Sequence, residues 1–323
     1  MRIFVTGCAG FIGSQMVDRL LSAGHKVVGY DNLSTGMVQF LQSAQRSENF
    51  TFITGDLLDL TKLTSAMQSC TMVMHFAANA DVRFGINHPN KDLEQNTIAT
   101  FHVLEAMRTN GIKQLVFAST GSIYGEAAII PTPENAPFPI QTSLYGASKL
   151  AAEGMIQAYC EGFGYQAYIF RFVSILGERY THGHVFDFYE KLLKNPNQLE
   201  VLGNGQQKKS YLYVHDCIDA IFIALEKAKE PVNIFNLGTD QYCQVNDSIG
   251  WICDHLKIDP KRIYSGGERG WIGDNPFIYL DCSRIRKLGW QPKYSIRQAI
   301  IATLTYLQTN HWVYEQRKIS ETV

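Results

Sequence analysis

Along the first half of the chain, short apolar runs alternate with longer stretches in which apolar positions recur every three or four residues. Residues 3–6, 26–30, 50–54, 72–76 and 114–118 are rich in Val, Ile, Phe and Met and read as buried strands. Between them, 11–23 and 92–110 read as helices. In the second of these Leu93, Ile98, Phe101, Val103, Leu104 and Met107 fall at mostly helical spacing and Gly111 ends the run. A further helix is expected at 143–162 and a further core strand at 167–172. Near-continuous apolar strands alternating with helices predict a parallel sheet covered on both faces, with right-handed crossovers. The fold class expected is therefore α/β, a doubly wound parallel sheet.

From about residue 177 the texture changes. Asn195-Pro196-Asn197, Gly203-Asn204-Gly205 and Ser265-Gly266-Gly267 mark long turns between short elements, among them a helix at 214–227. The expected organisation is a sheet domain over 1–176, a smaller irregular α/β lobe over 177–312, and later segments returning to the sheet. A polar tail over 313–323 is expected to be disordered.

The bulk composition adds exclusions. The 323 residues are 46% hydrophobic and 18% charged with a formal net charge of −1, a balance with no general attraction to nucleic acid or to an anionic membrane. No apolar run approaches the ~18 residues of a membrane span, and the chain opens on a strand rather than a leader, so a cytoplasmic location is expected. The seven cysteines are scattered with no Cys-x-x-Cys pair, which suggests a reducing compartment. His182-Gly-His184 is the nearest approach to a metal-binding spacing and is read as a polar loop; no metal is expected.

Two signals point to a dinucleotide. Gly7-Cys8-Ala9-Gly10-Phe11-Ile12-Gly13 joins the first strand to the first helix, where missing Cβ atoms let the backbone and the helix N-terminus approach a pyrophosphate, and Gly13 is expected to let the helix pack on the sheet. Asp31, with Asn32 after it, ends the second strand; an acid there accepts hydrogen bonds from the ribose hydroxyls and repels the extra phosphate of NADP, so the Rossmann-type cofactor expected is NAD. Asp56-Leu57 and Phe76-Ala77-Ala78 follow the third and fourth strands at the ligand-binding edge of such a sheet and complete the expected cofactor contacts.

A candidate proton-transfer group follows the fifth strand. Tyr145-Gly-Ala-Ser-Lys149 puts a phenol and an ammonium on one helical face. A tyrosine, with a reference pKa of ~10, is a poor base at neutral pH, but an adjacent ammonium and a positive nicotinamide ring both favour its phenolate. Lys149 is also placed to bind the nicotinamide ribose. Thr120 closes the fifth strand with a hydroxyl able to bridge substrate and Tyr145. A second such spacing, Tyr314 and Lys318, lies in the polar tail and is read as chance.

The set Gly7-x-x-Gly10-x-x-Gly13, Ser119-Thr120, Tyr124-Gly125 and Tyr145-x-x-x-Lys149 resembles the extended short-chain dehydrogenase/reductase family, in particular its nucleotide-sugar epimerases of the UDP-glucose 4-epimerase type. The likeness runs from Met1 to about Leu307. It includes the stretch from Gly205 to Asp216, Asn236-Leu237-Gly238 and Arg269-Gly270-Trp271-Ile272-Gly273-Asp274-Asn275-Pro276. The resemblance implies epimerisation by transient oxidation. Tyr145 takes the C4 hydroxyl proton while NAD takes the hydride; the 4-keto sugar turns over and receives the hydride on its other face. It also implies that Lys209, where the family often has arginine, and Arg269 face the diphosphate, that Ser174 stands where relatives often place asparagine against the substrate phosphate, and that the helices at 92–110 and 143–162 build a homodimer.

Family dehydratases carry an Asp-Glu pair directly after the threonine, where this chain has Gly121-Ser122, so elimination is disfavoured. A C4 dehydrogenase or reductase with net redox change needs the same three groups as an epimerase, and the sequence leaves both open. A non-enzymatic NAD sensor needs no proton-transfer group, and the intact Thr120, Tyr145 and Lys149 argue against it.

Overall fold

Seven strands form one parallel sheet flanked by helices: β1 (Arg2–Thr6), β2 (Lys26–Asp31), β3 (Phe50–Thr54), β4 (Met72–His75), β5 (Gln114–Thr120), β6 (Gln166–Phe172) and β7 (Val232–Leu237). Their order across the sheet is β7-β6-β5-β4-β1-β2-β3. This computed structural model describes residues 1–138, 140–271, 273–275 and 277–321, with the side chains of 83, 84 and 318–321 outside the description. Ile272 and Pro276, quoted above, lie outside the described residues.

The inner strands are buried along nearly their whole length, as their continuous apolar sequence requires, whereas the edge strand β3 is only half-buried. Phe4, Val28, Val73, Leu115 and Phe117 from the sheet form one core with Val103 and Met107 of helix α2 (Ala99–Thr109) and Ile156 of helix α3 (Leu144–Phe163). Full burial of such side chains contributes roughly 1.5–3 kcal/mol each. The order reverses between β1 and β4, and the register sets Thr6 opposite both Tyr30 and His75. Ligands bind such sheets beyond the carboxyl ends of the strands at this reversal, where Gly7 and Phe76 follow.

The expected helix over 92–110 is continuous but widened in its first part. A short turn, Pro89–Asp92, leads into a π-helical turn, Leu93–Ile98, before α2 begins. The wider turn carries buried Asn96, which bonds Asn79 and Ser148 off the helix as well as Asp92 within it. An apolar periodicity cannot reveal such a local widening.

The described chain divides into two compact units. One comprises Met1–Ile123, Leu144–Arg171 and Ala224–Phe235; the other comprises Tyr124–Ser143, Phe172–Ile223 and Asn236–Val323. The second unit holds short sheets, including Ser174–Leu176 paired with Tyr211–Tyr213, and the helices His184–Lys194, Val245–Leu256 and Ile296–Thr309. Asp216 ties it together. Its Oδ2 accepts the amides of Lys293 and Tyr294, and its carbonyl accepts the Trp290 indole N–H.

Two expectations are corrected here. The tail is a helix, Trp312–Glu321, not a disordered segment: Val313 and Tyr314 are buried and the Tyr314 ring stacks 4.2 Å from Phe186. The segment is polar on average, but these two side chains anchor it. His184 does not sit in a polar loop. It opens a helix, stacks 4.5 Å from Tyr211 and lies 2.7 Å from the Ser248 hydroxyl, and burial, with the Lys209 charge, pushes its pKa down to about 3. Among the described residues no helix is long and apolar enough to cross a membrane.

Candidate active site

The glycine-rich turn is built from steric exclusion. Gly7 has φ +66°, and a Cβ on it would lie 2.6 Å from the amide nitrogen of Ala77 after β4. A Cβ on Gly13 would lie 2.0 Å from the Gly7 carbonyl oxygen. Gly7, whose amide bonds the Tyr30 carbonyl, continues the end of β1, so the missing Cβ on Gly13 lets helix α1 (Phe11–Ser22) approach that strand end closely. A Cβ on Gly10 would lie 3.2 Å from the Gly7 carbonyl oxygen, a tight contact but a much milder one than at the other two glycines. Phe11 is buried and Ile12 half-buried at the start of α1.

Asp31 is fixed against this turn. Its Oδ2 accepts the Ala9 amide at 2.9 Å and its Oδ1 the Leu33 amide at 2.8 Å. Burial pushes its carboxyl pKa up and these two amides hold it down. Asn32 reaches the Asp56 carboxylate at 2.9 Å, so both residues stand together after β2 and β3. Leu57 turns its side chain into the core. Phe76, Ala77 and Ala78 are half-buried beyond β4, with the Phe76 and Ala77 amides bonded to the backbone and side chain of Thr6.

A buried relay not anticipated from sequence joins these parts. The Ala77 amide donates to Thr6 Oγ1 (3.3 Å), which lies 2.7 Å from His75 Nδ1; His75 Nε2 lies 3.1 Å from Thr100 Oγ1, which donates to the Asn96 carbonyl at 2.6 Å. Because the Thr100 proton is committed to Asn96, Thr100 accepts from His75 Nε2–H, and Nδ1 accepts from Thr6. His75 is thus neutral and in one tautomer; burial, with the Lys149 charge, pushes its pKa down to about 3.

Tyr145, Lys149 and Thr120 come together in the first unit. Tyr145 lies in the first turn of α3 and shares a side-chain hydrogen bond with Thr120, the last residue of β5, whose Oγ1 also donates to Ser122 Oγ at 3.2 Å. Burial pushes the phenol up to about 12, the Thr120 hydrogen bond lowers it, and the Asp92 charge raises it. Lys149 is 2% exposed; its Nζ donates to the Ala118 carbonyl at 2.9 Å and lies 4.7 Å from the Phe117 ring centroid. Burial pushes Lys149 down to about 7 against the opposing charge of Glu153. The backbone of Tyr145 is braced through Ser148, which donates to its carbonyl at 2.9 Å and accepts from Asn96 at 3.0 Å. Gly121 and Ser122 open a 3-10 turn, and the Ser122 amide donates to Thr120 Oγ1.

In the second unit, Ser174 is exposed on its short strand. Lys209 is held by Asp274 Oδ1 at 2.6 Å and the Asn275 carbonyl at 2.7 Å. Arg269 is ion-paired with Glu126 at the surface.

The chain as a whole is similar to known proteins. A family model described as "NAD dependent epimerase/dehydratase family" matches residues 3–238. The chain belongs to the NAD dependent epimerase/dehydratase family. A putative UDP-glucose 4-epimerase of Methanocaldococcus jannaschii is 32% identical over 315 residues, covering 96% of this chain and 99% of the relative. A crystal structure of UDP-galactose 4-epimerase superposes with TM-score 0.87 at 36% identity, covering 97% of this chain and 100% of the other. A crystal structure of UDP-glucuronic acid 4-epimerase from Bacillus cereus, in complex with UDP-glucuronic acid and NAD, gives TM-score 0.88 at 27% identity, covering 96% and 99%.

The cofactor of this epimerase/dehydratase family member is NAD. The tight glycine turn at Gly7–Gly13 and the braced Asp31 carboxylate suit a dinucleotide. Beyond the residues that sequence reasoning singled out, the structure adds His75, Asn96, Asp92 and Glu153. Asp92 is 1% exposed; its Oδ1 accepts from Asn79 and Asn96, and its Oδ2 has no partner among the described residues. All four are polar residues in otherwise apolar or helical runs, and a buried polar residue is the only signal such positions give.

Proposed function

We propose that this protein is an NAD-dependent nucleotide-sugar 4-epimerase acting on a UDP-glucose/UDP-galactose-like substrate through a transient 4-keto sugar. The observation that carries this reading is the hydrogen-bonded Thr120–Tyr145 pair, on the same helix as buried Lys149, which donates to the Ala118 carbonyl two residues before Thr120; only β4 separates their strand from β1 and its glycine turn. Bound NAD supplies reversible hydride acceptance and a positive ring. Tyr145 Oη takes the proton of the C4 hydroxyl and later returns it. Thr120 Oγ1 orients that hydroxyl, and Lys149 Nζ keeps the phenolate favoured. Gly121 and Ser122, in place of acids, supply no group for eliminating water, which favours epimerisation over dehydration.

Gly7, Gly10, Phe11, Ile12, Gly13, Asp31, Asn32, Asp56, Leu57, Phe76, Ala77 and Ala78 are assigned to the cofactor. Ser174, Lys209 and Arg269 are assigned to the nucleotide diphosphate, with the two cations exchanging Asp274 and Glu126 for phosphate oxygens. Residues 1–176 are read as the NAD-binding domain and 177–312 as the nucleotide-sugar lobe. A cytoplasmic homodimer is the assembly expected, since Leu93, Ile98, Phe101 and Phe163 leave apolar surface on the helices of the first unit.

A proton NMR time course of the purified protein against UDP-, GDP-, CDP- and dTDP-sugars, without added NAD, tests the reading. Conversion of one sugar to its C4 epimer supports it and names the substrate. A 4-keto product that forms only on addition of NAD replaces it with a net C4 oxidation.

A further inference from the structure

Helix α3 carries a third polar residue in line with Tyr145 and Lys149. Glu153 follows Lys149 by four residues, on the same helical face, and is 0% exposed. Its Oε1 accepts the Ser119 hydroxyl, and both oxygens accept Arg171 from β6, with Nη2–Oε2 at 2.7 Å and Nε–Oε1 at 3.1 Å. Arg171 is itself 2% exposed. A buried ion pair of this kind is a poor source of stability, because apolar residues of similar volume usually serve as well. Its placement calls for another reason.

We propose that Glu153 is a positioning residue of the proton-transfer site: its buried carboxylate sustains the charge of Lys149 one helical turn away and, through Ser119, fixes the strand end that carries Thr120. The inference rests on the reading of Tyr145 and Lys149 as the proton-transfer pair. Ala118, Ser119 and Thr120 are consecutive on β5. The first accepts from Lys149, the second donates to Glu153 and the third bonds Tyr145, so three successive residues of one strand take three successive turns of one helix. The titratable and charged groups around Lys149 are Tyr145 and Glu153 on its own helix, His75 from β4, held neutral, and Arg171 from β6; Asp92 acts on Tyr145. Glu153 is the anion that offsets the burial of Lys149. With Lys149 already held down to about 7, loss of that anion would leave a neutral amine at physiological pH, unable to favour the phenolate.

The test reads Lys149 directly. NAD-loaded protein carrying lysine labelled with carbon-13 at Cε is titrated with pH by NMR, and Lys149→Met assigns the resonance. Glu153→Gln keeps the shape and a bond to Ser119 while removing the charge; the Lys149 midpoint is expected to fall by about one pH unit or more. Because Glu153→Gln strands Arg171, the double variant Glu153→Gln/Arg171→Met, which buries no unpaired charge, is titrated beside it and is expected to shift in the same direction. A midpoint unchanged from wild type in the folded variant overturns the proposal, since a purely structural Glu153 alters melting and leaves the lysine where it was. Failure of the epimerase reading appears elsewhere, as wild-type protein that converts no nucleotide sugar, and leaves this titration interpretable.

Discussion

The carbonyl oxygen of Gly7 occupies the space that a Cβ on Gly13 would need, 2.0 Å away. The first and third glycines of the turn therefore specify each other, and the second is the least crowded of the three. Gly13→Ala is expected to displace the turn, costing about 1–3 kcal/mol or more of stability and most of the NAD affinity. Gly10→Ala, whose Cβ would lie 3.2 Å from the same carbonyl, is expected to lower the melting temperature far less than Gly13→Ala while still weakening NAD. Thermal melts with and without NAD separate the two; equal losses in both would refute this division of roles.

His75 predicts an acid-sensitive fold. Its pKa is 6.5 in the unfolded chain and about 3 when folded. Below pH 6.5 the unfolded chain takes up a proton that the folded chain refuses, so stability falls as pH drops from 6.5 and levels off near 3. His75→Asn should be less stable at neutral pH, by about 1–3 kcal/mol for the unsatisfied threonine, and show a flatter acid limb. Denaturant melts across that range decide it; parallel curves for the two proteins would exclude His75 as a source.

Removal of the Tyr145 hydroxyl should leave NAD binding intact and reduce kcat by roughly 10²–10⁴-fold. The assay is the sugar interconversion identified by the NMR panel. Turnover at the wild-type rate would show that the phenol is not the base.

Lys209→Gln retains a hydrogen-bond donor for Asp274 but loses the charge. A charged hydrogen bond contributes about 1.5–3 kcal/mol, so KM for the nucleotide sugar should rise roughly 10–100-fold with little change in kcat. A lower melting temperature with KM unchanged would assign Lys209 to Asp274 alone.

The parts legible in the sequence are those whose physics is local. The glycine spacing follows from one tight turn, Asp31 from the end of one strand, and Tyr145 with Lys149 from one face of one helix. The fold class followed likewise from apolar runs of strand and helix length. The illegible parts depend on residues brought together from afar. His75 meets Thr6 across 69 positions, Asn96 meets Ser148 across 52, and Ser119 meets Glu153 across 34. Nothing within any one of those segments announces its partner. The spacing placed Gly13 in the turn, but only the structure names the atom its missing Cβ avoids, the Gly7 carbonyl oxygen.

The seventh strand has a bearing on how the protein is made. β7 joins the sheet beside β6, yet 59 residues separate Phe172, the end of β6, from Val232. A ribosome that has delivered everything up to β6 has produced a sheet whose last strand still shows a row of bare amides and carbonyls. That rim stays sticky until some sixty further codons are read, several seconds at ~5–20 residues per second. A gene cut after codon 176 makes the delay permanent, and its product is expected to be recovered in inclusion bodies rather than as a self-standing nucleotide-binding module.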